Sequence, residues 1–406
     1  MKCGLLGEKL GHSYSPEIHA ELADYEYRLY EKAPDEVETF VRGGDWHGLN
    51  VTIPYKKTVI PFCDELSETA AAIGSVNTLL RRPDGSIFGD NTDAFGFETL
   101  LNSTLPGAIA GKKALVLGTG GASVTVCAVL KKHGAEVVTI SRSGENNYQN
   151  LDRHADAKLL VNTTPVGMYP NNGVSPVDLA AFPELEAVLD VVYNPALTAL
   201  LLQAEARGIP HAGGLQMLVA QAKRSAEIFL CRTLPDSEIG RILNKLSRGM
   251  QNIVLIGMPG CGKSTVGAIL AERLGHPLCE ADEEIVRASG KTIPEIFAEE
   301  GETGFRTCET AVLARLGKQS GAVLSTGGGC VTREENYPLL HQNGVIVWIK
   351  RDLDRLAREG RPLSIGADLA AMYAVRAPLY ERFADFAVDN VGTPEATAEK
   401  ILEVLG

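Results

Sequence analysis

The stretch Gly257-Met-Pro-Gly-Cys-Gly-Lys263-Ser264-Thr265 constrains this chain more than any other. It fits GxxxxGK[ST], follows the apolar run QNIVLIG and opens the helical pattern TVGAILAERLG, so a strand, a tight glycine turn and a helix must come in immediate succession. Glycines at such a turn let backbone N–H groups surround a phosphate chain at a helix N-terminus. Gly260, Cys261 and Gly262 form the cradle, and Lys263 adds a positive charge. Ser264 and Thr265 bring hydroxyls, the first of them suited to magnesium. A parallel α/β sheet that binds a nucleoside triphosphate is the expected setting.

A second glycine turn lies upstream. KKALVLGTGG reads as a buried strand running into Gly118-Thr-Gly120-Gly121-Ala122-Ser123, SVTVCAVLKKHG as a helix ending at Gly134, and AEVVTISRS as the next strand. This βαβ start puts Gly118, Gly120, Gly121 and Ala122 where a dinucleotide pyrophosphate meets a helix N-terminus. Ser123 occupies the third glycine position of the generic fingerprint, so the turn alone also fits an ordinary Gly-rich loop. The following strand ends in Ser141-Arg142-Ser143, where NAD enzymes place an acid. An arginine there can pair with the 2′-phosphate of NADP, so NADPH is favoured over NADH.

Further strands are expected at KLLVNTT and AVLDVVY, and helices at 196–207, 215–230 and 234–246. The short polar stretch 247–251 then separates residues 1–248 from 250–406, whose later strands are GAVLSTGGG, VIVWIK and FAVDN. With 406 residues, 45% of them hydrophobic, the chain can build more than one core. A formal net charge of -12 argues against a nucleic-acid surface, so any anionic ligand must be held by local cations. Eight cysteines form no CxxC pair and have no nearby His at metal-ligand spacing, which speaks against disulfides and structural zinc. The opening MKCGLLGEKLGHS meets a Gly and an acid too early for a signal-peptide core, and no apolar run is long enough to span a bilayer. A cytoplasmic protein without membrane partners is expected, as monomer or homodimer.

Behind the phosphate turn come Glu280-Ala-Asp282, Gly304-Phe-Arg306-Thr-Cys-Glu309, Ser325-Thr-Gly327-Gly328-Gly329, Arg361-Pro-Leu363 and Arg376-Ala-Pro-Leu-Tyr380. In that order and spacing residues 250–406 resemble the shikimate kinase family. The resemblance implies that Arg306 and Arg376 clamp the shikimate carboxylate, since a guanidinium recognises carboxylate bidentately. It implies that Asp282 orients the 3-hydroxyl for in-line attack and that Gly328 and Gly329 let backbone approach the ring. Arg361 would belong to a lid over ATP, with Arg358 as an adenine contact. Taken singly, each Arg also reads as a solvated charge and Asp282 as a helix cap. The family's usual pair of aspartates is Glu280 and Asp282 here, and the lid around Arg361 is short.

The first half carries Gly11-His-Ser13-Tyr-Ser15-Pro16, Asn50-Val-Thr52-Ile-Pro-Tyr-Lys56, Ser75-Val-Asn77-Thr and Gly89-Asp-Asn91-Thr92-Asp93. Further on stand Asn162-Thr163-Thr164-Pro, Asp190-Val-Val-Tyr193-Asn-Pro195 and Gly213-Gly214-Leu-Gln-Met217 through Gln221. Together they resemble shikimate dehydrogenase from Cys3 to about Leu246. The resemblance implies a catalytic pair Lys56 and Asp93: reducing a ketone needs a proton on oxygen, and an ammonium oriented by a carboxylate can deliver it. It assigns Ser13 and Ser15 to the substrate carboxylate, Thr52, Asn77, Tyr193 and Gln221 to the rest of the substrate, and Thr163, Gly214 and Met217 to the cofactor. Ser15 and Asp93 also read as N-caps, and Met217 as plain core.

The expected architecture is α/β throughout. A two-lobed dehydrogenase has a substrate lobe of about 1–98 plus 214–246 and a Rossmann NADP lobe of about 99–213. A P-loop domain of the nucleoside-monophosphate-kinase kind follows, with a parallel five-stranded sheet. The implied chemistry is NADPH-dependent reduction of 3-dehydroshikimate to shikimate, then transfer of phosphate from ATP with Mg2+. The alternatives are an NAD-linked quinate or shikimate dehydrogenase and an inactive metabolite sensor.

Overall fold

The computed structural model describes residues 1–11, 13–356 and 369–406. The chain divides into two compact units, Met1–Met168 with Val174–Lys245, and Tyr169–Gly173 with Leu246–Gly406. Among the described residues no helix is long and apolar enough to cross a membrane.

The first unit opens with β1 (Lys2–Gly7), α1 (Ser15–Leu22), β2 (Glu26–Glu31), α2 (Val37–Gly43) and β3 (Gly48–Val51). β4 (Glu65–Leu66), α3 (Glu68–Ile73), β5 (Thr78–Arg81), β6 (Ile87–Asp90) and α4 (Asp93–Thr104) follow. Their six-stranded sheet runs β2-β1-β3-β5-β6-β4. β1 is parallel to β2 and β3, whereas β5 is antiparallel to both β3 and β6. That hairpin turns at Asp84-Gly85, where Gly85 has φ 88° and the Asp84 carboxylate accepts the Ser86 N–H at 3.0 Å. At its open end Asn77 N donates to Asp90 O at 3.0 Å, which sets the segments carrying Asn77 and Asp93 side by side. Leu6, Leu49, Tyr55, Val76 and Leu79 form the core beneath.

The rest of this unit holds β7 (Lys113–Leu117), α5 (Gly121–Lys132), β8 (Glu136–Ile140), β9 (Leu159–Asn162), β10 (Ala187–Asp190), α6 (Ala199–Ala206) and β11 (His211–Ala212). The sheet β11-β10-β9-β7-β8 is parallel throughout. Its order reverses between β7 and β9, and in doubly wound sheets a ligand crevice opens at that reversal, beyond the carboxyl ends of the strands. α7 (Leu215–Leu230) returns to α4 so closely that a Cβ on Gly96 would fall 2.6 Å from Met217 O.

α8 covers Ser237–Met250, so the helix expected to stop at residue 246 continues through most of the polar stretch. Ile239, Ile242, Leu246 and Met250 are all buried, and this stripe at helical spacing outweighs the helix-weakening Gly249.

The second unit contains β12 (Asn252–Ile256), α9 (Lys263–Leu274), β13 (Leu278–Glu280), α10 (Ala281–Ser289), α11 (Ile293–Leu316) and β14 (Val323–Ser325). α12 (Asn336–His341), β15 (Gly344–Lys350), α13 (Leu369–Phe383), β16 (Phe386–Asp389) and α14 (Pro394–Leu405) complete it. The five strands are parallel in the order β13-β14-β12-β15-β16. Near-continuous apolar runs such as Ile253–Ile256 and Val345–Ile349 are buried, as a sheet covered on both faces requires.

Candidate functional site

In the first unit the chain leaves β3 through Thr52, and the buried Tyr55 pins the turn by donating its hydroxyl to Lys32 O at 2.5 Å. Val76 N donates to Lys56 O at 2.8 Å, which fixes the backbone carrying the lysine. Lys56 Nζ then reaches Asp93 Oδ2 at 2.6 Å, with the two side chains only 19% and 12% exposed. Asp93 is the first residue of α4, where the helix dipole favours a carboxylate. It is not the cap: Thr92 holds that position, and Asn91 Oδ1 accepts the Ala94 N–H at 3.3 Å.

Around this pair the polar groups form a connected set. Asn77 Oδ1 accepts the Thr92 N–H at 2.7 Å, and Thr92 Oγ1 reaches Gln221 Oε1 at 3.5 Å. Asn77, Thr92 and Gln221 are all buried. Thr92 went unassigned in the sequence although it lies next to Asp93, since only the fold shows that it joins Asn77 to Gln221. Ser13 Oγ accepts the Ser15 N–H at 3.2 Å, and Ser15 starts α1 as a helical residue rather than capping it. Tyr14, between them, packs edge-on against Tyr193 with ring centroids 6.0 Å apart. Burial pushes both phenols above their ordinary range. Thr52 N donates to Leu6 O at 2.9 Å, which holds it beside β1.

The upstream glycine turn sits at the sheet reversal. Gly118 has φ 107°, and a Cβ there would fall 2.9 Å from Thr164 and 3.0 Å from Thr163. Ser123 is 2% exposed and donates its hydroxyl to Gly118 O at 2.7 Å, so it fits the tight helix–strand approach that a third glycine usually serves. Beside Gly120 and Gly121 there is open space, with Ala122 half-buried on the first turn of α5. Thr163 Oγ1 donates to Leu117 O at 2.6 Å, tying β9 to β7 at the crevice. Ser141 donates to Ser143 O at 2.5 Å, curling the loop after β8. Arg142 on that loop is exposed and has no acidic partner among the described residues. Gly214 caps α7 so tightly that a Cβ would meet Val191 O at 2.1 Å. Met217 is 8% exposed and packs in the core with Ala94, Phe97 and Leu189.

In the second unit the phosphate turn has the backbone its sequence demands, with Gly257, Gly260 and Gly262 at φ 142°, 85° and 103°. Lys263 is 7% exposed, and its Nζ donates to Gly257 O at 3.0 Å and Met258 O at 3.2 Å. Asn390 Nδ2 braces the turn from outside through Cys261 O at 2.8 Å. Ser264 Oγ donates to Glu280 Oε2 at 3.1 Å, and Thr265 follows on α9. Asp282 lies in the first turn of α10, two residues past the end of β13 at Glu280.

A cavity of about 560 Å3 connects this turn to the arginines. Lys263, Glu280, Asp282, Arg306, Glu309 and Arg376 all line it. Arg306 Nη1 donates to Glu309 Oε2 at 2.7 Å, while Arg306 Nε and Glu309 Oε1 are buried without a partner among the described residues. Burial raises the Glu309 carboxyl above its ordinary range against the pull of Arg306. Gly328 is held by its neighbours: Arg376 Nη1 donates to its carbonyl at 3.1 Å and so does the Tyr380 hydroxyl, while Pro259 of the phosphate turn packs where a Cβ would stand. The sequence motif gives Glu309 no role of its own, yet it lies one turn from Arg306 on α11, the spacing at which an acid and an arginine meet. Arg358 and Arg361 lie outside the described residues.

Both glycine turns fit the groups expected of them. Open backbone fronts α5 at the first, with the exposed Arg142 on the neighbouring loop. At the second, the oxygen donors Ser264 and Glu280 suit a hard cation such as magnesium, though no group of three or more His, Cys, Asp or Glu gathers as a protein-only metal site among the described residues.

Comparison with known proteins matches residues 5–79 to the shikimate dehydrogenase substrate binding domain and residues 259–406 to shikimate kinase. A shikimate dehydrogenase (NADP(+)) of Clostridium beijerinckii is 34% identical over 270 residues, covering 62% of this chain and 96% of that protein. Among solved structures, a shikimate 5-dehydrogenase of Thermus thermophilus in complex with NADP(H) and shikimate is 30% identical at a TM-score of 0.55, covering 60% of this chain and 99% of that one. A chorismate mutase/shikimate 5-dehydrogenase fusion protein of Clostridium acetobutylicum is 36% identical at a TM-score of 0.56, over 60% and 96%.

Proposed function

Because this chain belongs to the shikimate dehydrogenase family and carries a shikimate kinase domain behind it, we propose that residues 1–248 and 250–406 are its two enzymes and that each reaction runs on the residues grouped above. The protein is a bifunctional enzyme of the shikimate pathway, NADP-dependent in its first activity and ATP-using in its second. It reduces 3-dehydroshikimate to shikimate and phosphorylates shikimate to shikimate 3-phosphate.

In the reductase, NADPH supplies the hydride when it is bound along Gly118, Gly120, Gly121 and Ala122, with Ser141, Arg142 and Ser143 at its 2′-phosphate. Thr163, Gly214 and Met217 line the same crevice. Lys56 gives its proton to the carbonyl oxygen as charge develops there, and Asp93 holds the ammonium in line. Ser13 and Ser15 grip the substrate carboxylate. Thr52, Asn77, Tyr193 and Gln221 fix the ring hydroxyls, the Asn77–Thr92–Gln221 chain keeping two of these side chains pre-set.

In the kinase, ATP supplies the phosphoryl group from the cradle of Gly260, Cys261, Gly262, Ser264 and Thr265. Arg306 and Arg376 anchor the shikimate carboxylate, and Glu309 keeps the Arg306 fork aimed into the cavity. Asp282 orients the 3-hydroxyl, Gly328 and Gly329 let the ring approach backbone, and Lys263 neutralises charge on the transferring group. Ser264, supported by Glu280, would hold magnesium. Arg361 and Arg358 belong to this reading as lid residues on the strength of the resemblance alone. All eight cysteines are free thiols, which supports a cytoplasmic location.

The observation that carries the reading is the close Lys56–Asp93 pair in one unit and, in the other, a single cavity joining Lys263 to Arg306 and Arg376. Its test is a coupled reaction of the full chain with 3-dehydroshikimate, NADPH, ATP and magnesium, with products read by mass spectrometry. Shikimate 3-phosphate forms only when both cosubstrates are present, and shikimate accumulates when ATP is omitted. Failure to form shikimate with NADPH overturns the reductase assignment.

A further inference from the structure

Lys263 is not alone at the phosphate turn. Arg351 follows directly on β15, the strand paired with β12, so it stands with the turn at the carboxyl edge of the sheet, where open α/β sheets receive ligands. A Cβ built on Gly262 would lie 3.7 Å from Arg351 Nη1, which puts the guanidinium over the residue from which α9 starts. Its Nε is buried and has no hydrogen-bond partner among the described residues.

Among the described residues the nearby groups do not neutralise it. Asp352 pairs with Arg355. Asn390, the other side chain against Gly262, is neutral and is committed to Cys261 O and Thr397 Oγ1. No carboxylate pairs with Arg351 among the described residues, in a chain where 51 acidic residues outnumber 39 basic ones. A partly desolvated guanidinium is costly to leave without a counter-charge, and the adjoining feature is a cradle of backbone N–H groups whose ligand is an anion.

We propose that Arg351 is a second nucleotide-binding cation of the kinase, donating to the phosphate chain of ATP on the Gly262 side of the turn. This deepens the kinase reading and rests on ATP occupying that turn. Lys263 is held on the Gly257–Met258 side by two carbonyls, so the two cations flank the cradle from different sides.

Calorimetric titration of the full-length protein with ADP, which needs no turnover, tests the proposal on the unaltered chain, Arg351→Ala and Arg351→Lys. Weak or absent ADP binding by the unaltered chain refutes the kinase reading itself. Given binding, Arg351→Ala is expected to weaken ADP about tenfold, to raise the KM for ATP by a similar factor and to leave the KM for shikimate within twofold. Arg351→Lys should recover most of the loss, because a phosphate accepts a point charge. Unchanged ADP affinity in Arg351→Ala overturns the proposal. So does a lysine variant as weak as the alanine one, which would make the guanidinium a stacking surface for the base. An equal rise in both KM values with a lowered melting temperature would make Arg351 a structural residue and likewise overturn it.

Discussion

The guanidinium of Arg306 occupies the space where Gly329 would carry a side chain: a Cβ built there falls 2.1 Å from Nη2 and 2.4 Å from the central carbon. Arg306 is itself 6% exposed and fixed to Glu309, so it has nowhere to retreat. Gly329→Ala therefore displaces Arg306, the proposed carboxylate clamp, without touching the phosphate turn. The expected result is a drop of about 10²-fold in kcat/KM for shikimate phosphorylation, the scale at which small misplacements act. ADP affinity should stay unchanged, and steady-state kinetics with calorimetry separate the two.

The two activities should be separable by single substitutions. Lys56→Ala removes the proposed proton donor and is expected to cost the reductase about 10²- to 10⁴-fold while the kinase keeps its rate. Asp93→Asn, which leaves a hydrogen-bond acceptor but no charge, should lose less. Lys263→Ala should do the converse of Lys56→Ala. Paired assays on one preparation check this, and loss of both activities in a folded variant would refute two independent sites.

Arg142 is exposed and has no acidic partner among the described residues, so its removal should change cofactor choice rather than folding. Arg142→Ala is expected to raise the KM for NADPH about tenfold, the worth of one charge-assisted hydrogen bond, and to leave NADH use unaltered. Initial rates with both cofactors measure it. An unaltered chain that uses NADH as well as NADPH would contradict the assignment of this loop.

His19 sets an acid limit on the first unit. Burial beneath Tyr25 and Tyr27 lowers its pKa from 6.5 to about 3, so the folded imidazole stays neutral while the unfolded one takes a proton. Its contribution to stability is present above pH 6.5 and is lost as pH falls toward 3, at about 1.4 kcal/mol per pH unit inside that window. His19→Asn should flatten the acid limb of the stability profile. The chain has two tryptophans, so urea unfolding followed by Trp46 fluorescence in a Trp348→Phe background reports on this unit.

Legibility tracked the distance over which each feature is built. The phosphate turn was readable because strand, glycines, lysine and helix are consecutive and each has a local physical reason. Lys56 and Asp93 are 37 residues apart, and no spacing rule pairs them. Their meeting depends on the β5–β6 hairpin, whose antiparallel placement the alternation of short strands and helices did not specify, and the residues themselves were found by resemblance. Thr92 and Glu309 escaped because their work is done on other side chains: one links Asn77 to Gln221, the other aims Arg306. The extension of α8 to Met250 was missed because Gly249 reads as a break, while the buried stripe through Leu246 and Met250 overrides it.

Ser123 bears on how such chains are found. A pattern written in letters rejects it, because the third glycine is missing. Yet its hydroxyl turns back onto Gly118 O, and the serine is as buried as the close contact requires. The constraint at that position is therefore a clearance between helix and strand, which any side chain small enough to fold onto its own turn can meet. Searches phrased as spacings between backbone atoms would retain dinucleotide sites that residue-by-residue fingerprints discard.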